Sequence, residues 1–165
     1  MNLAEAAAEA QRLADAGDER RLADLRRQWD DEVEAAARDA DYRVRALAFR
    51  SIAQFRYRQK LELLQRGLED DSPACRGSAL IALESLSRDS PAAINNVRRI
   101  LHELASSDGN EAVRRLAMVS LRNGSPNRDT IVLLQGLAEA DDASRELRDT
   151  ARKIAAGLTK KSRAR

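Results

Sequence analysis

The run Asp39-Ala-Asp-Tyr-Arg-Val-Arg-Ala-Leu-Ala decides the fold, because degenerate copies of it return at Asp70, Asp108 and Asp142. Aligned on Arg45, Arg76, Arg114 and Arg148, every copy has Asp six residues earlier and Ala three later. Four residues before each of these arginines stand Asp41, Ser72, Asn110 and Ser144, all residue types whose side-chain oxygen caps a helix N-terminus. Pro73 follows its cap at the first helical position, where a missing N–H costs nothing. Each copy therefore starts a helix. The residues one before, three after and seven after the register arginine share one arc of that helix. They are Val44, Ala48 and Ile52; Cys75, Ala79 and Leu83; Val113, Ala117 and Leu121; and Leu147, Ala151 and Ala155, four buried stripes.

Working outward, Leu3, Ala6, Ala7, Ala10, Leu13 and Ala14 mark an amphipathic helix over residues 3–16, capped by Asn2 and ended by Gly17. A second helix over 19–38 carries Leu22, Leu25, Trp29, Val33 and Ala36. Between the motif helices, residues 57–68, 92–104 and 130–137 have the same apolar period and give each motif helix a partner. The breakers lie between them, at Ser90-Pro91, Gly109, Gly124-Ser-Pro126 and Asp141-Asp142. The expected fold is all-α: a right-handed solenoid of antiparallel helix pairs in one domain over residues 1–158. Residues 1–38 form its capping pair, and 159–165 a basic tail without an apolar stripe.

The pattern Asp-x5-Arg, with an apolar residue before the Arg and Ala after it, resembles the HEAT-type repeats, in particular the short HEAT-like variety of bacterial proteins. The resemblance covers about residues 39–158, some four repeats. It implies a ladder of Asp39, Asp70, Asp108 and Asp142 with Arg45, Arg76, Arg114 and Arg148, a structural frame rather than a site. Tetratricopeptide and ankyrin signatures are absent.

Composition agrees with helices and limits the function. The 165 residues are 34% charged and only 3% aromatic, with a formal net charge of +2, so global charge names no partner. One cysteine excludes an internal disulfide framework. No apolar run reaches the length of a membrane helix, and the N-terminus has no signal-peptide pattern, so a cytoplasmic protein is expected.

Catalytic chemistry finds little support. His102-Glu103 invites comparison with the HEAT-like deoxyhypusine hydroxylases, which hold iron with several such pairs, but one pair cannot fill a metal sphere. It reads as a helix-surface residue. Cys75 reads as a small core residue rather than a nucleophile. No metal or other cofactor is expected, and no enzyme activity.

The richest stretch is residues 42–60. From residue 43 to 66, Arg43, Arg45, Arg50, Arg56, Arg58, Lys60 and Arg66 face a single acid, Glu62, and every aromatic residue lies between Trp29 and Tyr57. Two readings follow. In one, the chain is a monomeric, non-catalytic scaffold that binds a protein or peptide through Tyr42, Arg43, Arg50, Arg56, Arg58, Lys60, Arg115 and Arg122. Trp29, Phe49 and Phe55 then fill the core. In the other it binds nucleic acid, with cations on phosphates and rings stacking on bases, in the architecture of the HEAT-like alkylated-DNA glycosylases. Repeat type alone also suggests a bilin lyase-like role.

Overall fold

The computed structural model describes residues 1–164, and among them every regular element is helical. The chain divides into two compact units, residues 1–86 and 87–165.

The first unit opens with α1 (Leu3–Asp15) and α2 (Glu19–Ala36). Asn2 caps α1 in a reciprocal box: its side chain accepts from the Glu5 N–H at 2.8 Å, and the Glu5 carboxylate accepts from the Asn2 N–H at 2.9 Å. The helix closes in a Schellman turn. The Gly17 N–H donates to the Ala14 carbonyl at 3.1 Å and the Asp18 N–H to the Leu13 carbonyl at 2.9 Å, with Gly17 left-handed at φ 73°. Then come α3 (Tyr42–Gln54), a 3-10 turn (Arg58–Lys60), α4 (Leu61–Leu68) and α5 (Pro73–Ser87). The expected helix over 57–68 is thus split into a 3-10 turn and a short α-helix.

Helices α1, α2 and α3 pack mutually, and α4 packs on α3. The small residues Ala6, Ala7 and Ala10 are buried on α1 and let its neighbours approach. Opposite them lie Leu22, Trp29 and Val33 of α2 and Phe49 and Ile52 of α3. Burying a side chain of this size contributes about 1.5–3 kcal/mol, so this unit has a true core of its own. Gly67 sits where three elements meet. A Cβ there would stand 2.8 Å from Ala79 Cβ of α5 and 3.0 Å from Phe49 Cδ1 of α3, so α4 can lie this close only as glycine.

The second unit holds α6 (Pro91–Asn95), α7 (Arg98–Ser107), α8 (Glu111–Leu121), α9 (Arg128–Ala138) and α10 (Arg145–Arg163). Pairs α7–α8 and α9–α10 pack together, and α10 also packs on α8. The sequence expects one helix over 92–104, and the chain breaks it at Asn96-Val97. Asn95 is occupied elsewhere: its amide donates to Ser125 Oγ at 3.0 Å, and its carbonyl oxygen accepts from the Ser125 N–H at 3.0 Å. These bonds fasten the end of α6 to the loop 30 residues further on, just before the break. The basic tail is also corrected, since α10 continues to Arg163 and Lys161 Nζ donates to the Gly124 carbonyl at 3.2 Å.

All four motif helices begin where the caps place them. Asp41 accepts from the Arg43 N–H at 2.9 Å, Asn110 from Val113 at 3.1 Å and Ser144 from Leu147 at 3.1 Å, while Ser72 Oγ lies 3.5 Å from the Cys75 N–H. The motif aspartates act locally as well as along the array. Asp39, Asp70 and Asp108 each accept, at 2.8–2.9 Å, from the N–H of the capping residue two positions on. These Asx turns set the backbone for the helix start.

Candidate interaction surface

Helix α3 divides cleanly between inside and outside. Ala48, Phe49, Ile52 and Ala53 are buried, and Tyr42, Arg43, Leu47 and Arg50 face solvent. Arg43, Leu47 and Arg50, at spacings of four and three, form one ridge. Tyr42 stands at its start, 50% exposed. Arg43 is held upright by the cap: its Nε and Nη2 donate to the two Asp41 carboxylate oxygens at 3.2 and 3.0 Å. That bond draws the Asp41 carboxyl below its ordinary range and raises Arg43.

The end of the basic stretch turns inward. The α3 C-terminus closes in a second Schellman turn, with Arg56 N–H on the Ala53 carbonyl at 3.0 Å and Tyr57 N–H on the Ile52 carbonyl at 3.0 Å. Arg56 occupies the left-handed position at φ 58°, the place Gly17 fills in the first turn, and is the sole non-glycine with positive φ among the described residues. Arg56 Nη1 donates to the Ala53 carbonyl at 2.6 Å, and Arg58 Nη1 to the Leu86 carbonyl at 3.2 Å.

Lys60 does not reach solvent. It is 6% exposed, with Nζ 2.7 Å from both Asp30 Oδ1 and Glu34 Oε1 and 5.1 Å from the Tyr57 ring centre. Burial pulls its pKa down, and the two carboxylates more than reverse that, leaving it raised. Lys60 is thus held from beneath by Asp30 and Glu34, whose outer edges stay half-exposed, and Glu34 is shared with Arg38; the Lys60 ammonium itself is covered. Tyr57 donates its hydroxyl to the Arg26 carbonyl, and burial raises its pKa.

The rings are buried too. Trp29, Phe49, Phe55 and Tyr57 are all at or below 5% exposure, with Phe55 and Tyr57 stacked at a tilt, 5.1 Å apart. Only Tyr42 remains for stacking on a base. For the nucleic-acid reading this leaves Arg43 and Arg50 as exposed cations on α3 and Tyr42 as its one exposed ring.

Two clefts of the first unit escape sequence reading. One of about 440 Å³ is lined by Ala14, Glu19, Arg26, Arg56, Arg58 and Gln59. It brings Arg56 and Arg58 together with Arg26, whose Nη1 donates to the Phe55 carbonyl at 3.1 Å. A signal for Arg26 does exist: it falls in the apolar stripe between Leu22 and Trp29, where a charge is out of place. The other, of about 820 Å³, mixes Arg38 and Arg66 with Asp39, Glu62, Glu69 and Asp71. Arg45 and Asp70 are its fixed floor, joined at 2.9 and 3.1 Å.

Arg115 and Arg122 belong to the second unit. Arg115 is exposed beside a shallow cleft of about 240 Å³ with Glu111, Ala112, Glu146 and Leu147. Arg122 is the exposed C-cap of α8.

The catalytic candidates resolve as structure. Cys75 is fully buried, its thiol pushed up by burial and 3.2 Å from the Tyr42 carbonyl oxygen. His102 is half-buried rather than on the surface, its Nε2 2.8 Å from the hydroxyl of buried Thr130. Among the described residues no group of His, Cys, Asp or Glu could hold a metal ion, and no helix is long and apolar enough to cross a membrane.

Comparison with known proteins gives one match. No curated protein and no solved structure matches the chain. Residues 31–104 match the family model of HEAT repeats, a segment running from late α2 into α7 and containing the first two motif copies. Residues 31–104 are thus similar to HEAT repeats, in the segment that carries the first two copies of the motif.

Proposed function

We propose that the chain is a non-catalytic scaffold that binds a protein or peptide partner on the ridge of Tyr42, Arg43, Leu47 and Arg50. HEAT repeats are commonly protein-interaction scaffolds. The observation that carries the reading is the chemistry of α3: an exposed aliphatic and two arginines share one face of a helix whose opposite face is locked in the core, and an exposed aromatic, Tyr42, stands at the helix's first position. Tyrosine and arginine are the residues that most often dominate binding at interfaces, and a rigid backbone lowers the entropy cost of presenting them. Arg115 and Arg122 supply a second exposed basic surface in the other unit. The groove of about 820 Å³, with its mixed charges, suits a polar peptide better than a phosphate track.

The test compares quantitative affinity captures with wild type and a Tyr42→Ala/Arg50→Glu double variant, each checked for unchanged helicity and melting. A protein retained by wild type and depleted about tenfold or more by the variant supports the reading. Nucleic acid as the captured species, with no protein depleted, overturns it in favour of the nucleic-acid alternative.

A further inference from the structure

The cleft of Arg26, Arg56 and Arg58 is separate from the α3 ridge and has a different chemistry. Arg26 and Arg56 are each tied by Nη1 to a backbone carbonyl at the end of α3, Phe55 at 3.1 Å and Ala53 at 2.6 Å. Gln11 Oε1 is a further, longer acceptor of Arg56 Nη1, at 3.5 Å. The Nε–Nη2 edge of each guanidinium makes no hydrogen bond among the described residues. The nearest carboxylates, Glu19 to Arg26 and Asp15 to Arg56, stand 3.9 Å away and are 75% and 66% exposed, so neither is fixed there. Both guanidinium groups are themselves mostly covered, at 23% and 30%. Arg58 lines the same cleft, with its Nη1 on the Leu86 carbonyl at 3.2 Å.

Elsewhere in this unit the Nε–Nη2 edge of an arginine is filled by a carboxylate at bonding distance, as Asp70 fills that of Arg45 through paired bonds. Two open forks in one cleft call for an anion with more oxygens and more charge. The cleft volume of about 440 Å³ also exceeds what a bare oxyanion fills, leaving room for the group that carries it. The backbone gives an independent indication. At the matching position of the first Schellman turn the chain uses Gly17, and at the second it accepts the left-handed strain of an arginine. Such strain costs about 1–2 kcal/mol in a residue with a Cβ and is characteristic of sites where a particular side chain is needed.

We propose that this cleft binds a phosphomonoester dianion, held between the Nε–Nη2 edges of Arg26 and Arg56 with Arg58 at its rim. The decisive variant is Arg56→Gly, because glycine suits the left-handed turn and the fold should be kept or strengthened while the guanidinium is lost. Amide chemical shifts of the full chain are followed on titration with sodium phosphate against sodium chloride at equal ionic strength. Parallel titrations use a phosphoserine peptide and its unphosphorylated form. Saturable shifts at Arg26, Arg56 and the α3 C-terminus are expected, weakened about tenfold or more by Arg56→Gly and by Arg26→Gln. Tighter binding of the phosphoserine peptide than of free phosphate would assign the group to a modified protein, and equal binding would assign it to a free ion or small phosphate ester. Absence of saturable shifts, or affinity unchanged in both variants, would overturn the proposal. Neither result touches the α3 ridge, which Tyr42→Ala/Arg50→Glu tests by itself.

Discussion

Arg45 and Asp70 join successive motif copies. The Arg45 guanidinium donates Nε and Nη2 to the two Asp70 oxygens, and its Nη1 donates to the carbonyls of Asp39 and Ala40 at 2.9 and 3.0 Å. Arg76 repeats the second half of this pattern, with Nη1 on the Asp70 carbonyl at 3.0 Å. In these two copies the six-residue spacing is the reach of an arginine back to its own aspartate's backbone, whereas Arg114 donates Nε to the Ala105 carbonyl at 2.9 Å. The side-chain partner of Arg45 is the aspartate of the following copy, with exposed Asp71 a longer acceptor at 3.3 Å.

Breaking this pair should be costly. Arg45 and Asp70 side chains are 17% and 9% exposed, so Asp70→Ala leaves a largely covered guanidinium without its anion and also removes the Asx turn at Ser72. A loss of roughly 3 kcal/mol is expected, against about 1 kcal/mol or less for exposed Asp39→Ala, whose carboxylate serves its local turn. Urea denaturation of both variants measures the difference. Equal losses would mean that the pair adds nothing beyond the turn.

The glycines of the helices should separate by their surroundings. Gly67→Ala places a Cβ 2.8 Å from that of Ala79, and α4 must shift, with an expected cost of roughly 1–3 kcal/mol. Gly136→Ala in α9 and Gly157→Ala in α10 meet nothing within 4 Å and should each raise stability by about 0.5–1 kcal/mol. Thermal melts of the three single variants would show opposite signs.

Lys60 tests whether a buried cation earns its place through partners rather than through contact with another molecule. Lys60→Ala removes both the buried stem and the shared cation of half-exposed Asp30 and Glu34 and should destabilise by roughly 1–2 kcal/mol, whereas Lys60→Met, which keeps the stem, should lose less. Because the folded pKa is raised above 10.5, the stability Lys60 contributes is present below that value and is lost as pH climbs through the folded pKa. The alkaline limb of a stability–pH curve should flatten in Lys60→Met.

On the acid side His102 acts with the opposite sign. Burial first, then the charge of Arg98, lowers its pKa below 6.5, with Asp129 opposing. The unfolded chain then binds the proton more readily, so stability is full above about pH 6.5 and falls as pH drops through the folded pKa. Glu34, lowered by Lys60 and then Arg38, adds a further loss below 4.5. Denaturation between pH 7.5 and 5 should show the first loss in wild type and not in His102→Gln. An unchanged slope in the variant would rule out His102 as its source.

Much of this fold could be read from local chemistry. The caps Asp41, Ser72, Asn110 and Ser144 and the stripes behind them are short-range features, and each motif helix starts as they dictate. The all-α helical-repeat class followed from them. Side-chain fates set by distant residues were not legible. Lys60 read as a surface cation because Asp30 and Glu34 lie 30 and 26 residues away. Arg45 was paired with the aspartates only as a ladder, without direction. The break at Asn96 depends on Ser125, and α10 holds its last turns partly through Lys161 on the 122–124 loop. Arg26 was passed over because the apolar stripe was drawn through Leu25, which is half-buried, rather than through position 26.

The direction of the Arg45–Asp70 bond has a genetic consequence. A segment cut from Asp39 to Glu69 carries its own helix start at one end and, in Arg45, a hand extended to whatever aspartate comes next. The same segment also reaches back, through Lys60 to Asp30 and Glu34 and through Tyr57 to the Arg26 carbonyl. A tandem copy of it would inherit the forward joint unchanged, while the copy before it would have to supply those backward partners.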